Sequence, residues 1–408
     1  MNGSTASGRS RTTTRSFAHP AEGPGNTPRE PNPERVSSTI ARESGLAPAD
    51  PDFDPIEYYT DQAWGDGLPI VPPTPAKVAA AVAALGGEPD FAEAVVPPRR
   101  GTLTREVLAI NMVMAGCKAE YAPVVRAAML ALCSKAFNLN GVQATTHMAG
   151  PLLIVNGPVR TQIGMNAGAN VFGSGNRANA TIGRAIRLIL LTVGGAIPGD
   201  LDKSTLGHPG KYTYCIAENE ELSPWAPYHV EHGMAPEDSA VFVIAAEPPH
   251  SVVNHVANDA QGVLDSMVSA MSTIAHNNAV AGGSCAVVIG PEHAATIAAS
   301  GFTRRDVRNY LWYNATNAWE AVSFDDRYAA GGKVYNKALP AWYKRERGAR
   351  IPIVPSADDI HLFVAGGAAG RFSAFIPGWG RMTSPVLLKV DGTESPGGPA
   401  CVDGTCAL

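Results

Sequence analysis

The sequence predicts an α/β or α+β fold in which helices cover a mixed sheet, and three observations carry that prediction. Short apolar runs bounded by glycine and proline recur, such as LLIVN between Gly150-Pro151 and Gly157-Pro158, and this is the pattern of a buried strand. Longer stretches with caps at their starts and glycine at their ends alternate with these runs. Across 408 residues, 45% are hydrophobic and only 17% are charged, enough to fill a large core and too apolar for a disordered chain. A chain of this length exceeds what one core usually holds, so an arm plus two lobes is the simplest division.

In chain order, residues 1–51 are rich in Ser, Thr, Arg, Pro and Gly, and read as a disordered N-terminal arm. Arg9, Arg11 and Arg15 are followed by no apolar segment, so the arm is not a secretory signal. Residues 52–150 read as a helical N-terminal lobe. Thr74 and Pro75 open one helix that Gly86 and Gly87 end, Thr102 or Thr104 opens a second reaching Gly116, and a third runs from Glu120 to Phe137. Residues 151–390 read as a glycine-rich α/β core. Strands are predicted at 152–156, 240–246, 285–289, 362–365 and 386–390, and helices at 260–274, 292–300 and 303–312. No internal repeat of fixed period is visible. Residues 391–408 read as a flexible tail carrying two cysteines.

A net charge of −5 offers no electrostatic footprint for nucleic acid, and no apolar run approaches the ~20 residues of a membrane span. Six cysteines in so large a chain are too few for a disulfide scaffold, which points to reduced thiols and a cytoplasmic protein. The apolar helices are compatible with a homo-oligomer.

Four stretches carry chemistry. The first is the glycine-rich NAGANVFGSGNRANATIGRAIRL (166–188). Free backbone N–H groups at a helix start, with Gly173, Gly175, Asn176, Arg177, Asn179 and Arg184 beside them, suit a carboxylate or phosphate. The spacing is neither a dinucleotide fingerprint nor a Walker motif, and the same glycines also serve close helix–strand packing. The second collects His208, Lys211, Cys215, Glu218, Glu220, Glu221, His229 and His232. Lys211 near Cys215 would lower the thiol pKa, and His208 is the candidate acid or base. His208, Glu218, His229 and His232 form an alternative site for a divalent metal, without any tight ligand spacing; no other cofactor is indicated.

The third is Gly282-Gly283-Ser284-Cys285, which enters a strand and is followed by Glu292 and His293. A buried strand cysteine and a first-turn histidine are the simpler readings there. Cys117 at a helix end is more open to chemistry than Cys133 within a helix. The fourth is the tail, DGTESPGGPACVDGTCAL, where Cys401 and Cys406 flank the turn-former Asp403-Gly404 and suit a dithiol relay.

At INMVMAGCKAEYAPVV, GVQATTHMAGPLLIVNGP, NRANATIGRAIRL, STLGHPGKYTYCIAENEELSPW and GPEHAATIAASG, the chain resembles an uncharacterised bacterial family associated with UGSC-motif thiol or selenocysteine proteins. The resemblance spans residues 64–313. UGSC-type proteins resemble the substrate-cleaving component of glycine-reductase-like systems, so the resemblance implies thiol or selenol redox chemistry with a partner protein. The sequence thus leads to a thiol-dependent oxidoreductase or reductive lyase acting on a small anionic substrate. Its alternatives are a metal-dependent hydrolase or lyase and a non-catalytic subunit of a two-component enzyme.

Overall fold

The computed structural model describes residues 54–61, 64–318, 321 and 348–391. The N-terminal arm and the cysteines Cys401 and Cys406 lie outside the described residues. The fold is a mixture of helices and mixed sheets, as expected, with two four-stranded sheets at its centre. Among the described residues, no helix is long and apolar enough to cross a membrane.

Strands β1 (Ala92–Val96) and β2 (Gly101–Thr104) form an antiparallel hairpin. The first sheet is built from β3 (Gly150–Asn156), β4 (Cys215–Ala217) and β5 (Ala240–Ala246). The second uses β6 (His250–Val253), β7 (Cys285–Ile289), β10 (Ile360–Val364) and β11 (Phe372–Ile376). A small pair, β8 (Thr316–Ala318) and β9 (Arg350–Pro352), lies apart, and β12 (Val386–Lys389) returns to the first sheet. The strand orders are β12-β5-β3-β4 and β10-β7-β11-β6. In each sheet the second and third strands pair antiparallel, while β3 with β4 and β7 with β10 form the one parallel pair.

Strand periodicity sets the layers, since alternate side chains point to opposite faces. Leu152, Ile154, Ile216, Phe242 and Ile244 from the first sheet meet Ala286, Val288, Phe363 and Ile376 from the second. Leu153, Val155, Val241 and Val243 face the other way, onto helices α1 (Pro75–Leu85), α2 (Arg105–Ala115), α3 (Ala122–Cys133) and α4 (Arg177–Thr192). On the opposite side Val287, Ile289, Leu362 and Phe375 pack against α5 (Ala260–Met271), α6 (Pro291–Ala299) and α7 (Arg304–Asn314). The order is helix, sheet, sheet, helix. The N-terminal helices expected as a lobe are therefore one outer layer, sharing a core with β3 and β5.

The helices form where local chemistry directs. The Thr104 hydroxyl accepts from Val107 N–H to start α2, and Gly116 in the left-handed region ends it. Asn176 caps α4, Asp259 caps α5, and Thr303 with Asp306 completes a reciprocal capping box on α7.

The two halves share one plan. In residues 122–253, short helices at Val159–Gln162 and Tyr228–Glu231 aside, a twelve-residue helix, a short helix (Leu139–Ala144), β3, a Gly-Pro step, α4, β4, β5 and β6 follow in turn. In residues 260–389 the order recurs as α5, a short helix (Asn277–Ala281), β7, a Gly-Pro step, α6 and α7, then, after the inserted β8 and β9, β10, β11 and β12. The last strand of each half crosses into the other sheet. The two crossing segments pair with each other at the corner, where Trp379 N–H donates to Ala245 C=O (3.1 Å) and Glu247 N–H to Pro377 C=O (2.8 Å). The repeat that the sequence concealed is thus one strand topology used twice, with exchanged edge strands. The parallel pairs β3/β4 and β7/β10 both run away from this corner.

Candidate functional site

Ligands in open α/β sheets settle beyond the carboxyl ends of parallel strands, where loops diverge. At the ends of β7 and β10 the structure has a cleft of about 370 Å³, in the size range of small-molecule sites. Its floor is Val288, Gly290, Ala365 and Ala374, and its far wall is the loop Ala169–Gly173 from the other half. The loop is held there by Gly366 N–H donating to Ala167 C=O (2.9 Å) and by Gly367 packing on Ala169. Phe172 and Phe372 flank the opening, which Gly366, Gly367 and Gly370 line with main chain.

The charged groups of the cleft are Glu292 and Arg371 at its rim. Gly370 N–H (2.9 Å) and Arg371 N–H (3.3 Å) donate to one oxygen of Glu292, and Arg371 Nε–H (2.8 Å) donates to the other. These donors hold the Glu292 carboxyl down at about 2, the Arg371 side chain being the largest cause. Below the rim, Ser373 Oγ donates to Nδ1 of the buried His293 (2.8 Å), whose Nε2–H donates to Asn254 C=O (3.1 Å). Ser373 also accepts from Gly290 N–H, so this pair ties the start of α6 to β11.

The predicted anion-binding residues do not converge on one point. Gly173 and Asn170 belong to the cleft wall, where any side chain at Gly173 would collide with Asn170. Asn176 is spent on the cap of α4 and on Gly164 C=O. Asn179 is buried and bridges the N–H and C=O of Asn166. Arg177 Nε donates to Gly116 C=O, and Arg184 forms a forked pair with Asp66 (2.8 and 2.9 Å). Arg184 is therefore neutralised by Asp66 and the exposed Arg177 leans on the main chain of Gly116, while Gly175 adopts a φ of 118° with open space around it.

His208 and Lys211 lie elsewhere, at the start of β3. Lys211 pairs with Asp202 (2.6 Å), which also faces Arg187 (3.7 Å), so its charge is directed away from Cys215. His208 packs edge-on against Tyr214, and burial together with Lys211 pushes its pKa down to about 4. That histidine is neutral at pH 7. A neighbouring pair escaped the sequence reading: His147 Nε2 meets Glu247 Oε1 (3.0 Å), which also accepts from Asn277 N–H. Its partners lie 100 residues apart, so no local spacing could have indicated it.

At the ends of β3 and β4, in the position equivalent to the cleft, polar side chains fill the space. Glu218 is fully buried and bonded to Asn156 Nδ2, to Tyr228 N–H (2.9 Å) and to Arg304 Nη2 (2.9 Å). Burial raises the Glu218 pKa against the opposing pull of Arg304. Glu231 pairs with Arg304 (3.4 Å) and Arg308 (2.8 Å), and Tyr228 Oη meets His361 Nδ1 (2.8 Å). His229 is buried 3.9 Å from Glu220, and His232 stacks on Tyr228. The metal set of His208, Glu218, His229 and His232 is not assembled: among the described residues, no group of three or more His, Cys, Asp or Glu could hold a metal ion.

Of the internal thiols, Cys215 and Cys285 are buried, while Cys117 and Cys133 are half-buried. Cys117, donating to Thr181 C=O, and Cys133 are pushed up to about 12, and Cys215 and Cys285 are also raised. The expected activation of Cys215 fails because Lys211 is paired with Asp202 and the thiol is sealed in the core. No protein-family model matches the chain, and no curated protein matches it.

Proposed function

We propose that the protein is a thiol-dependent oxidoreductase or reductive lyase that takes a small anionic substrate in the glycine-lined cleft and uses Cys401 and Cys406 as its reacting dithiol. The supporting observation is that Cys215 and Cys285 are buried and that the thiols of Cys117 and Cys133 are pushed up to about 12, so none of the four is poised as a thiolate at pH 7; the pair left in the sequence is Cys401 and Cys406. Cys401 follows Asp391 by ten positions, at most about 35 Å of chain. That exceeds the radius of gyration expected for a folded body of this size, roughly 20 Å. In turnover the two thiols become one disulfide, and two electrons with two protons pass to the substrate. A thiol or selenol partner protein, the class implied by the family resemblance, reduces the disulfide again.

The test is mass-spectrometric mapping of cysteine alkylation on the native, full-length protein through a cycle of mild oxidation and reduction. Cys401 and Cys406 should pair reversibly while Cys215 and Cys285 remain unlabelled. Failure of the tail cysteines to pair, or activity retained in a C401S/C406S variant, rejects the reading.

A further inference from the structure

We infer that Gly370 and Arg371 form a seat for the carboxylate of a small ligand, and that Glu292 occupies this seat only until the ligand arrives. The inference rests on the cleft as the ligand site, but on neither tail cysteine.

The seat is built independently of its present occupant. Arg371 Nη1 is anchored on Ala257 C=O (2.8 Å), so the guanidinium stays in place when Glu292 leaves. Gly370 and Arg371 have φ of 121° and 31°, turning two consecutive N–H groups toward one point, the geometry of an anion-binding nest. Among the described residues, Glu292 is held by the seat alone. Its side chain is 36% exposed on the first turn of α6 and can swing into water.

The lining identifies the ligand. Glu292 and Arg371 are the charged residues among those described around the cleft, and the other side chains there include Val171, Phe172, Val288, Ala365, Phe372 and Ala374. A few convergent polar donors on an apolar wall orient a ligand with one charged end. The present occupant is a planar carboxylate gripped by both oxygens, so the shape selected is a carboxylate on a short apolar body. The equivalent end of the first sheet provides the contrast. There Glu218 stands where the cleft has Ala365, and Arg304 enters to pair with it.

The experiment is calorimetric titration of full-length protein with propionate, propionamide and inorganic phosphate. Removing the internal competitor in Glu292→Ala should tighten propionate binding about tenfold or more over the unsubstituted protein. Glu292→Gln should show a smaller gain, and it provides the readout should the alanine variant fail to fold. Propionamide should not bind, and phosphate should bind more weakly than propionate. No gain in either variant, equal binding of propionamide, or phosphate binding as well as propionate overturns the carboxylate seat. A C401S/C406S protein should bind propionate unchanged, so failure of the thiol reading leaves this result intact.

Discussion

Arg304→Met should cost more stability than any exposed charge deletion in this protein, because it strips a fully buried carboxylate of its cation. Glu231 keeps Arg308 as a partner, whereas Glu218 is left with Asn156 and the Tyr228 N–H alone. Breaking one side of a buried pair costs ~3–5 kcal/mol. For a body of ~300 ordered residues the unfolding entropy is about 0.6 kcal/mol/K, so Tm should fall by roughly 5–8 °C near pH 8. The effect must depend on pH in a definite direction. The folded-state pKa of Glu218 is already raised by burial, and losing Arg304 raises it further. A raised carboxyl pKa means that the folded protein binds the proton more tightly than the unfolded chain does. The penalty is therefore fully present above the folded pKa and fades as pH falls toward the unfolded value of about 4.3. Thermal melts of the variant and the unsubstituted protein at pH 5 and pH 8 measure this. A loss of under 1 °C at pH 8, or an equal loss at both pH values, refutes the argument that Glu218 becomes an uncompensated buried charge.

Gly290→Ala and Gly157→Ala should both lower Tm by several degrees or yield insoluble protein, since a Cβ would strike Phe372 C=O in one case and Asp238 C=O in the other. Melts within 1 °C of the parent would show that the Gly-Pro steps are not tight. Gly367→Val should leave the melt nearly unchanged and abolish propionate binding in the Glu292→Ala background, as the new side chain fills the cleft against Ala169. Binding that survives would place the ligand elsewhere. Glu292 has a folded-state pKa depressed to about 2, so its contribution to stability is present above the unfolded value and disappears as pH falls toward 2. The Tm difference between Glu292→Gln and the parent should shrink across that window, and a constant difference would contradict it. Cys117, raised to about 12, should react with iodoacetamide at pH 8 roughly 10³-fold more slowly than a free thiol; comparable rates would show that it is not buried in solution.

Much of the architecture was legible because it is written locally. Thr104 and Thr303 mark helix starts, and apolar runs at 152–156, 240–246 and 285–289 mark the central strands. The short edge strands β4 and β6 carry too few residues for a period to emerge. The duplication stayed hidden because what repeats is the order of elements, with loops of unequal length between them. β3 and β7 differ by a shift unlike that of β4 and β10, and no fixed period survives. The residues expected to hold an anion do not converge, for a related reason. Arg184 looks free beside its glycines, but Asp66 lies 118 residues away in the chain and meets it only in the fold. The cleft at the ends of β7 and β10 needs the Ala169–Gly173 loop and the Gly366–Arg371 turn together, and neither is conspicuous alone. Burial of Cys215 and Cys285 is a property of the core that composition cannot report.

The exchange of edge strands also constrains how the protein is made. The first sheet begins at Gly150, yet the strand that closes it beside β5 is β12, about 140 residues beyond the end of β5. At 5–20 residues per second, the ribosome needs roughly 7–28 s to deliver that strand. Throughout this interval β5 offers unpaired N–H and C=O groups next to Val241 and Val243, an open invitation to pair with another nascent chain. Chaperone demand during synthesis should therefore peak between the emergence of β5 and that of β12.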